Sequence, residues 1–328
     1  MKDSCLVSVI IVNHNSNDEL TQCVTSTFKA APDTRVIVVD NASTDESLSQ
    51  LEASFKNDFR LHIQRNQTNQ GFAVACNKGA RLAEGAYLWY MNPDCVVDEY
   101  TLPAMLSCLD ENPGAGMVGG LLLNPDGTEQ AGGRRTVPTP WRTLVRVFKL
   151  SGLEKRYPRL FSDFNLHQQP LPDRPIEVEA ISGACMLVRR EALEDVGELD
   201  EGYFLHCEDL DWCMRFRQKG WKILFVPDAR VTHYLGTCGR SRPVFVEWNK
   251  HKGMMRFYRK FFRHQYPGIL MWMSLLSTMP LPMRVFPCWR PLFQMTPDLK
   301  SYAISIIWAL PLGAIWGLAS PRVSIYCI

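Results

Sequence analysis

The sequence predicts an α/β fold built on a doubly wound, mostly parallel β-sheet. Runs of β-branched and apolar residues at 6–13, 35–40 and 87–97 have the near-continuous hydrophobicity of strands covered on both faces. Segments with a helical pattern separate these runs. Strands and helices that alternate along a chain are typical of a parallel sheet with helices on both sides.

The other elements of the N-terminal half follow from capping residues and helical patterns. Short polar side chains that can accept from free backbone amides mark helix starts, and acidic residues favour the first turn. We predict a helix after Asn15–Asp18 that ends near Ala30, a helix after Ser43–Glu46, a short strand at 59–63, a polar loop at Asn66–Gly71 and a helix at Phe72–Leu82.

The pattern in the second half is interrupted once. Residues 125–175 combine basic residues with Pro, Trp and Phe and show no clear period, which predicts a long irregular loop that either performs a function or forms a solvated face. The elements predicted around this segment are a strand at Gly114–Asn124, a turn and strand at Ile181–Arg189, helices at Glu191–Val196 and Leu210–Lys219, and strands at Trp221–Val226 and Val231–Tyr234.

Polar residues stop three of the predicted strands. Asn13-His14, Asp40-Asn41 and Asn92-Pro-Asp94 each follow a hydrophobic run. Ligands of open parallel sheets bind outside the carboxyl ends of the strands, where these side chains should meet. A single Asn-Pro-Asp triplet is more often an ordinary turn, but three polar stops on one edge favour a binding site.

A second acidic group lies at a helix start. Glu208, Asp209 and Asp211 follow an aromatic loop directly. The helix dipole favours acidic residues at this position, so capping is the simplest interpretation. Three carboxylates within four positions are more than capping requires.

Composition excludes some classes of function. The 328 residues carry 36 basic and 34 acidic side chains, and a net charge of +2 gives no reason to expect a nucleic-acid partner. The 11 cysteines are odd in number and lack zinc-binding spacing, so we expect reduced, buried thiols of a cytosolic protein. The N-terminus leads directly into a strand, without a secretory signal.

From about Val7 to Gly239 the chain resembles the inverting glycosyltransferases of family 2, which have the GT-A fold. Seven motifs carry the resemblance in the expected order: VSVIIVNHNS, VVDNASTDES, NQGFAVACNKG, NPD, SGACMLVRR, the ED pair within FLHCEDLDW, and VTHYLG. The pattern is most similar to rhamnosyltransferases of O-antigen and cell-wall assembly. We therefore expect a catalytic domain at 1–240, with 125–175 on its acceptor side.

The resemblance implies a nucleotide-sugar site. The matching positions are His14, Asp40, Asn41, Asn69, Gly71, Asn77, Asn92 and Asp94. Asn92-Pro-Asp94 stands where the family has its DxD motif. Because the first acid is Asn here, Asp94 is left as the main carboxylate ligand of a divalent metal.

The resemblance also implies the metal, the base and the acceptor side. His233 matches a second metal ligand in some relatives, and the metal is Mg²⁺ or Mn²⁺. Asp209 matches the catalytic base, which takes the proton of the acceptor hydroxyl. The residues expected on the acceptor side are Ser182, Gly183, Glu208 and Asp211.

The substrates implied are dTDP-rhamnose as donor and a saccharide linked to polyprenyl diphosphate as acceptor. A UDP-sugar donor for galactofuranosyl, hexosyl or N-acetylhexosaminyl transfer is the alternative. A nucleotidyltransferase would need a Gly-rich basic loop after the first strand, which is absent. A non-catalytic nucleotide- or glycan-binding protein is disfavoured because Asp94 and Asp209 are both present. Homo-oligomerisation stays open.

The C-terminal region, 241–328, differs in composition from the rest. Phe245–Gln265 is rich in basic and aromatic residues, which predicts an amphipathic helix on an anionic membrane surface. The stretches 267–283 and 301–321 contain no charge, and we expect them to insert in-plane or re-entrantly. A hairpin that spans twice, or helices packed on the catalytic domain, are the alternatives. Either membrane arrangement puts the enzyme on the cytoplasmic face of the cell membrane.

Overall fold

A mixed β-sheet organises the chain, for which the computed structural model describes residues 6–147, 150, 157, 164–234, 243–268 and 270–271. The strands are β1 (Val7–Asn13), β2 (Arg35–Asp40), β3 (Leu61–Arg65), β4 (Tyr87–Met91), β5 (Cys95–Val97), β6 (Ala115–Leu123), β7 (Arg134–Arg135), β8 (Ile176–Glu177), β9 (Ala180–Ile181), β10 (Cys185–Arg189) and β11 (Lys222–His233). The helices are α1 (Glu19–Ala30), α2 (Ser47–Ser54), α3 (Phe72–Leu82), α4 (Thr101–Glu111), α5 (Pro140–Val147), α6 (Arg190–Val196), α7 (Glu208–Gln218) and α8 (Pro243–Phe261).

The sheet is mostly parallel, as predicted. Its order is β3-β2-β1-β4-β10-β6-β11-β5, with β8 beside β11, while β7 and β9 form a separate pair. β1 to β4, β6 and β11 share one direction, and β5, β8 and β10 run against it. The carboxyl ends of β1, β2 and β4 therefore meet at one edge.

Both faces of the sheet are covered, which explains the continuous hydrophobic runs. Alternate residues of β1 enter opposite cores: Ile10 and Val12 pack on the side of α3, α6 and α7, and Val9 and Ile11 on the side of α1 and α4. This is the period of two that a pleated strand imposes. The result is a three-layer arrangement with the sheet in the middle.

The stretch 87–97 contains the predicted strand, which ends before Asn92-Pro-Asp94 as expected, and a second short strand that was not predicted. β4 ends at Met91, and β5 pairs antiparallel with β11 on the far side of the sheet. The intervening Asn92-Pro-Asp carries the chain across, because Pro93 has no amide to donate to a ladder. The backbone amide of Asn92 donates to the carbonyl of Ala184, 2.9 Å away.

A bulge in β11 directs the last residues of this strand towards the segment Asn92-Pro-Asp94, where the chain crosses from β4 to β5. β11 pairs with β6 through Val226 and again from Arg230, with a register shift between them. The bulge presses the carbonyl of Ala229 against Gly120, where a Cβ would collide with it. Glycine at position 120 therefore permits the bulge, which lets β11 reach β5 and set His233 opposite Cys95.

The segment 125–175 is more ordered than predicted in the part that the structure describes. It contains β7, α5 and a 3₁₀ turn at Leu166–Gln168. Arg134 is buried and forms a two-pronged ion pair with Glu129, and Arg142 pairs with Glu179. These two cations stabilise the segment itself instead of forming a solvated face.

The helix predicted in the basic-aromatic stretch is α8, but half of it faces the protein. Phe257, Tyr258 and Phe262 are buried in the core that also contains α3 and α7. The hydroxyl groups of Tyr258 and Thr143 lie 2.7 Å apart. These aromatic side chains lie in the core and are not available to a membrane. The same core contains residues on both sides of position 240, where the sequence predicted a domain boundary.

The rest of the C-terminal prediction lies largely outside the described residues. This applies to nearly all of 267–283 and to all of 301–321. Among the helices that the structure describes, none has the length and apolar character needed to cross a membrane.

The expectation of reduced, buried cysteines agrees with the structure wherever they are described. Seven cysteines are free and buried: Cys23, Cys76, Cys95, Cys108, Cys185, Cys207 and Cys213.

Gly71 fixes the loop 66–71 against the loop that precedes α7. Its φ is +90°, and a Cβ there would lie 2.8 Å from the carbonyl oxygen of Phe204. The amide of Phe72 donates to that same oxygen across 2.8 Å. The absence of a side chain at position 71 is therefore required twice, by backbone angle and by contact.

Gly71→Ala should lower the free energy of unfolding more than Gly127→Ala, by about 1–3 kcal/mol of overpacking. Gly127 is the matched control, because its φ is +82° but no atom lies within 4 Å of the Cβ position. Urea unfolding of both variants measures the difference. Equal losses would show that the Phe204 contact is not a constraint.

Candidate active site

Asp94 and His233 meet where the crossing after β4 joins the end of β11. Both side chains are buried, and Oδ1 of Asp94 lies 3.1 Å from Nε2 of His233. The backbone amide of Tyr234 also donates to the carbonyl of Asp94. Two residues that are far apart in sequence thus present adjacent ligand atoms.

Gln130 fixes the orientation of the His233 ring by a hydrogen bond to Nδ1. The Gln130 amide nitrogen donates to the side chain of Asn124 and to the carbonyl of His233, so its oxygen, Oε1, faces Nδ1 at 2.7 Å. Nδ1 therefore donates to Gln130, which leaves Nε2 as the ring atom that faces Asp94. The side-chain nitrogen of Asn92 also lies near Nε2, at 3.3 Å.

This arrangement suits a divalent cation. A carboxylate oxygen and an imidazole nitrogen 3.1 Å apart need either a proton or a cation between them, and a divalent cation can take this place. The sulfur of Cys95 is also near. Burial raises the pKa of the Cys95 thiol well above its usual range, so it stays protonated and donates to the carbonyl of Ala184. Asp94 and His233 are the residues that fit a Mg²⁺ or Mn²⁺ ion.

Asp40 lies at the carboxyl end of β2, beside the end of β1. Its Oδ1 accepts from the Asn13 amide at 2.8 Å and from the Ser43 hydroxyl at 2.6 Å, and its Oδ2 accepts from the Ser43 backbone amide. Each carboxylate oxygen has two lone pairs, so Oδ2 keeps one for a ligand. His14 lies next to this group, with Nδ1 3.1 Å from the carbonyl of Asn41.

Asn41 organises the loop that was predicted to cover a nucleotide. Its amide nitrogen donates to Asn69 and to the carbonyl of Gly71, while its oxygen accepts from Asn66 and from the backbone of Gln70. These contacts use the whole Asn41 amide. The structure therefore supports Asn41 and Asn69 as residues that shape the loop.

Asn77 also has a structural role. The buried amide exchanges hydrogen bonds with the backbone of Leu199, at 2.9 and 3.0 Å, and donates to Glu201. It joins α3 to the loop before α7. Its Oδ1 keeps one lone pair, and the nucleotide contact of Asn77 stays a prediction.

Asp209 is held in the first turn of α7 by donors from three places. Arg135 forms a short ion pair with Oδ2, which also accepts from the backbone amide of Gly183 at 3.1 Å, and Oδ1 accepts from the amide of Leu210. A Cβ on Gly183 would lie 3.3 Å from the Cβ of Asp209. The predicted small turn therefore touches the predicted base. Ser182 stabilises this turn by accepting from the amide of Ala184.

Glu208 and Asp211 differ in their surroundings. Asp211 is fully buried and contacts Arg215 at 2.7 Å, Lys260 at 2.6 Å and the hydroxyl of Tyr203. This network anchors α8 to α7, so Asp211 has no free atom for the acceptor role predicted for it. Glu208 is also buried, but its Oε2 has no hydrogen-bond partner in the described part of the chain.

The backbone before α7 is strained. His206 and Cys207 both have left-handed conformations, with φ of 68° and 72°. Non-glycine residues in this region cost free energy, and such strain concentrates at functional sites. Gly253 of α8 packs against this elbow, where a Cβ would lie 2.6 Å from the carbonyl of His206. Helix α8 therefore helps to hold Glu208 and Asp209 in place.

Sequence reasoning missed Gln130 and Arg135 as site residues. Gln130 follows a turn and carries no motif, and Arg135 was one basic residue among many in the irregular segment. The pair of arginines beside a double glycine, Gly132-Gly133-Arg134-Arg135, is the only local signal, and it does not indicate which arginine meets the base.

Comparisons with known proteins agree on a family. The family model "Glycosyl transferase family 2" matches residues 8–197, and "Glycosyl transferase family group 2" matches 159–319. An N-acetylglucosaminyl-diphospho-decaprenol L-rhamnosyltransferase of Mycobacterium tuberculosis is 30% identical over 210 residues, which cover 61% of this chain and 66% of the relative. The chain thus spans just under two thirds of that relative.

Two further relatives extend the comparison. A dTDP-rhamnosyl transferase of Shigella flexneri is 24% identical over 233 residues, covering 68% of this chain and 67% of the relative. A mannosyltransferase of Pyrobaculum calidifontis, solved with GDP-Man and Mn²⁺, superposes with a TM-score of 0.55 at 16% identity, covering 95% of this chain and 87% of that one. At this identity the superposition concerns the fold, which is the one predicted.

Gln130→Leu should weaken Mn²⁺ binding about 10- to 100-fold, because His233 loses the partner that fixes its tautomer and ring orientation. Calorimetric titration with Mn²⁺ in the presence of dTDP or UDP measures the affinity. Gln218→Leu, at the exposed end of α7, is the control. Identical affinities for the two variants would remove Gln130 from the site.

Proposed function

The chain belongs to glycosyl transferase family 2, and we propose that it transfers a sugar from a nucleotide-sugar donor to a hydroxyl of a lipid-linked saccharide, with inversion at the anomeric carbon. The observation that carries this proposal is the presence of two groups. One is the buried pair Asp94–His233, and the other is the partly buried Asp209, held by Arg135 and two backbone amides.

The donor lies along the carboxyl ends of β1, β2 and β4. Asp40 and His14 face the nucleoside, and the loop Asn66–Gly71 covers it. Asp94 and His233 would hold a divalent ion, which would neutralise the charge that builds on the diphosphate as the glycosidic bond breaks. Asn92, whose side-chain nitrogen lies 3.3 Å from Nε2 of His233, would give up that contact when the ion binds, because Nε2 has a single lone pair.

Asp209 takes the proton of the acceptor hydroxyl. As that oxygen attacks the anomeric carbon from the face opposite the diphosphate, the new glycosidic bond forms and the bond to the diphosphate breaks. Inversion follows from one displacement. The Gly183 amide and Arg135 keep the carboxylate of Asp209 oriented, and Gly183 leaves room for the acceptor sugar.

The proposed donor is dTDP-L-rhamnose and the proposed acceptor is a saccharide on polyprenyl diphosphate. Support comes from the two rhamnosyltransferase relatives, one of which is named for a decaprenol-linked N-acetylglucosamine. A UDP-sugar is the alternative donor. Release of nucleoside diphosphate from dTDP-rhamnose, UDP-hexoses and GDP-sugars, with Mn²⁺ or with EDTA, tests the proposal. No metal-dependent release from any donor would refute it.

Asp209→Asn should lower kcat by about 10²- to 10⁴-fold, because proton transfer is lost while the amide keeps the shape of the carboxyl group. Nucleotide affinity should stay within a few-fold of the wild type. Steady-state kinetics and dTDP titration measure the two quantities, with Asp228→Asn, at an exposed position, as control. Near-normal turnover in Asp209→Asn would eliminate it as the base.

We also propose that the protein docks on an anionic membrane through the outer face of α8 and the turn that follows it, formed by Phe245, Trp248, Lys252, Arg259 and Arg263. All five side chains are exposed, Trp248 to 59% and Phe245 to 44%, and no acidic residue is among them. Aromatic rings at one end and cations along the rest suit the boundary between headgroups and acyl chains. Such docking would keep the active site on the cytoplasmic face, close to a polyprenyl diphosphate.

Lys252→Glu with Arg259→Glu should weaken binding to phosphatidylglycerol vesicles at least about 30-fold, since each basic residue near an anionic surface contributes about 1 kcal/mol. Co-sedimentation of the full chain measures this. Lys29→Glu with Lys56→Glu, both exposed, is the control with the same charge change. Equal losses in the two variants, or equal binding to neutral vesicles, would contradict docking through α8.

A further inference from the structure

Glu208 has a buried carboxyl group with one oxygen that lacks a hydrogen-bond partner among the described residues. The residue is 7% exposed, and its Oε2 has no hydrogen-bond partner in the described ranges of the chain. A buried polar atom of this kind costs free energy unless something binds it. The neighbouring Asp209 accepts from Arg135 and from two backbone amides. Two adjacent carboxyl groups therefore have opposite surroundings.

The groups around Glu208 leave it without a counter-ion. Asp209 repels a charge on it, and Arg135, the cation that acts on it, is engaged with Asp209 and with the carbonyl of Ile181. Two buried thiols also lie near it, those of Cys76 on α3 and of the preceding residue, Cys207. Burial first, and Asp209 second, raise the pKa of Glu208 to about 8. At neutral pH the group is then mostly a neutral acid.

We propose that Glu208 works as a neutral carboxylic acid that donates a hydrogen bond to a hydroxyl group of the bound sugar. The proposal deepens the proposed function and rests on it. A sugar hydroxyl group can accept a hydrogen bond from the protonated carboxyl group of Glu208, which lies next to the proposed base Asp209. With Glu208 as a hydrogen-bond donor, the two neighbouring carboxyl groups have different roles: Asp209 carries the negative charge and Glu208 carries a proton.

The position of Glu208 agrees with this role. Glu208 lies close to Cys76 of α3, the helix that follows the loop Asn66–Gly71. The left-handed residues His206 and Cys207, braced by Gly253, force the chain into this placement. A carboxyl group needed only for capping would not require an enclosed, unpartnered oxygen. The inference thus assigns a ligand, a sugar hydroxyl, to the free oxygen.

The test compares Glu208→Gln, which keeps a neutral donor of the same shape, with Glu208→Leu, which removes it. With wild-type turnover established on a donor and acceptor, Glu208→Leu should lower kcat/KM about 10- to 100-fold, the usual cost of a lost hydrogen bond to a buried group. Glu208→Gln should recover most of that loss at pH 7. It should also lose the decline in activity that the wild type shows as pH rises through about 8.

Stability gives a second readout that does not depend on activity. Because the folded-state pKa of Glu208 lies above the unfolded value of 4.5, the native state binds the extra proton between pH 4.5 and about 8, and wild-type stability should fall as pH rises across that window. Glu208→Gln should therefore gain stability relative to wild type from pH 5 to pH 8. A constant difference between the two would overturn the neutral-acid state.

The outcomes separate this inference from the proposed function. Wild-type protein without transfer from any nucleotide-sugar refutes the proposed function itself. An active wild type with Glu208→Leu equally active refutes only the sugar contact. An active wild type with Glu208→Gln as weak as Glu208→Leu shows that an ionised carboxylate is needed, and the inference fails.

Discussion

The contact between Asp94 and His233 is the constraint on which the rest of the site depends. A buried carboxylate oxygen and an imidazole nitrogen 3.1 Å apart need a proton or a metal cation between them. Gln130 maintains the contact by accepting a hydrogen bond from Nδ1, which fixes the orientation of the ring. The bulge in β11, the glycine at 120 and the chain crossing after β4 all serve to bring these atoms together. The fold thus brings two ligand atoms suited to a divalent ion into one buried place.

The base depends on a different set of contacts, which come from late in the chain. Asp209 and Glu208 begin α7 after a strained elbow, and α8 supports that elbow through Gly253 and through the Lys260–Asp211 ion pair. One face of α8 is therefore part of the catalytic core, while its outer face is proposed to meet the membrane. If both hold, contact with the bilayer and orientation of the base involve one rigid element.

Sequence reasoning reached the sheet and the residues that end its strands, because β-branched runs and polar stops have local causes. It missed Gln130 and Arg135, whose roles arise from partners about a hundred and about seventy residues away. It did not find the strand after Asn92-Pro-Asp, since hydrophobicity does not reveal that Cys95–Val97 pairs across the sheet. It assigned Phe257 and Tyr258 to a membrane because an apolar helical stripe suits a protein core equally well.

The most direct test of the account is a crystal structure with Mn²⁺ and dTDP or UDP, measured at the manganese absorption edge. The account predicts one anomalous peak within coordination distance of both the Asp94 carboxylate and Nε2 of His233, with diphosphate oxygens completing the ligand set. Nucleotide bound along β1 and β2 with no peak at this pair, or manganese held by other residues, would contradict it.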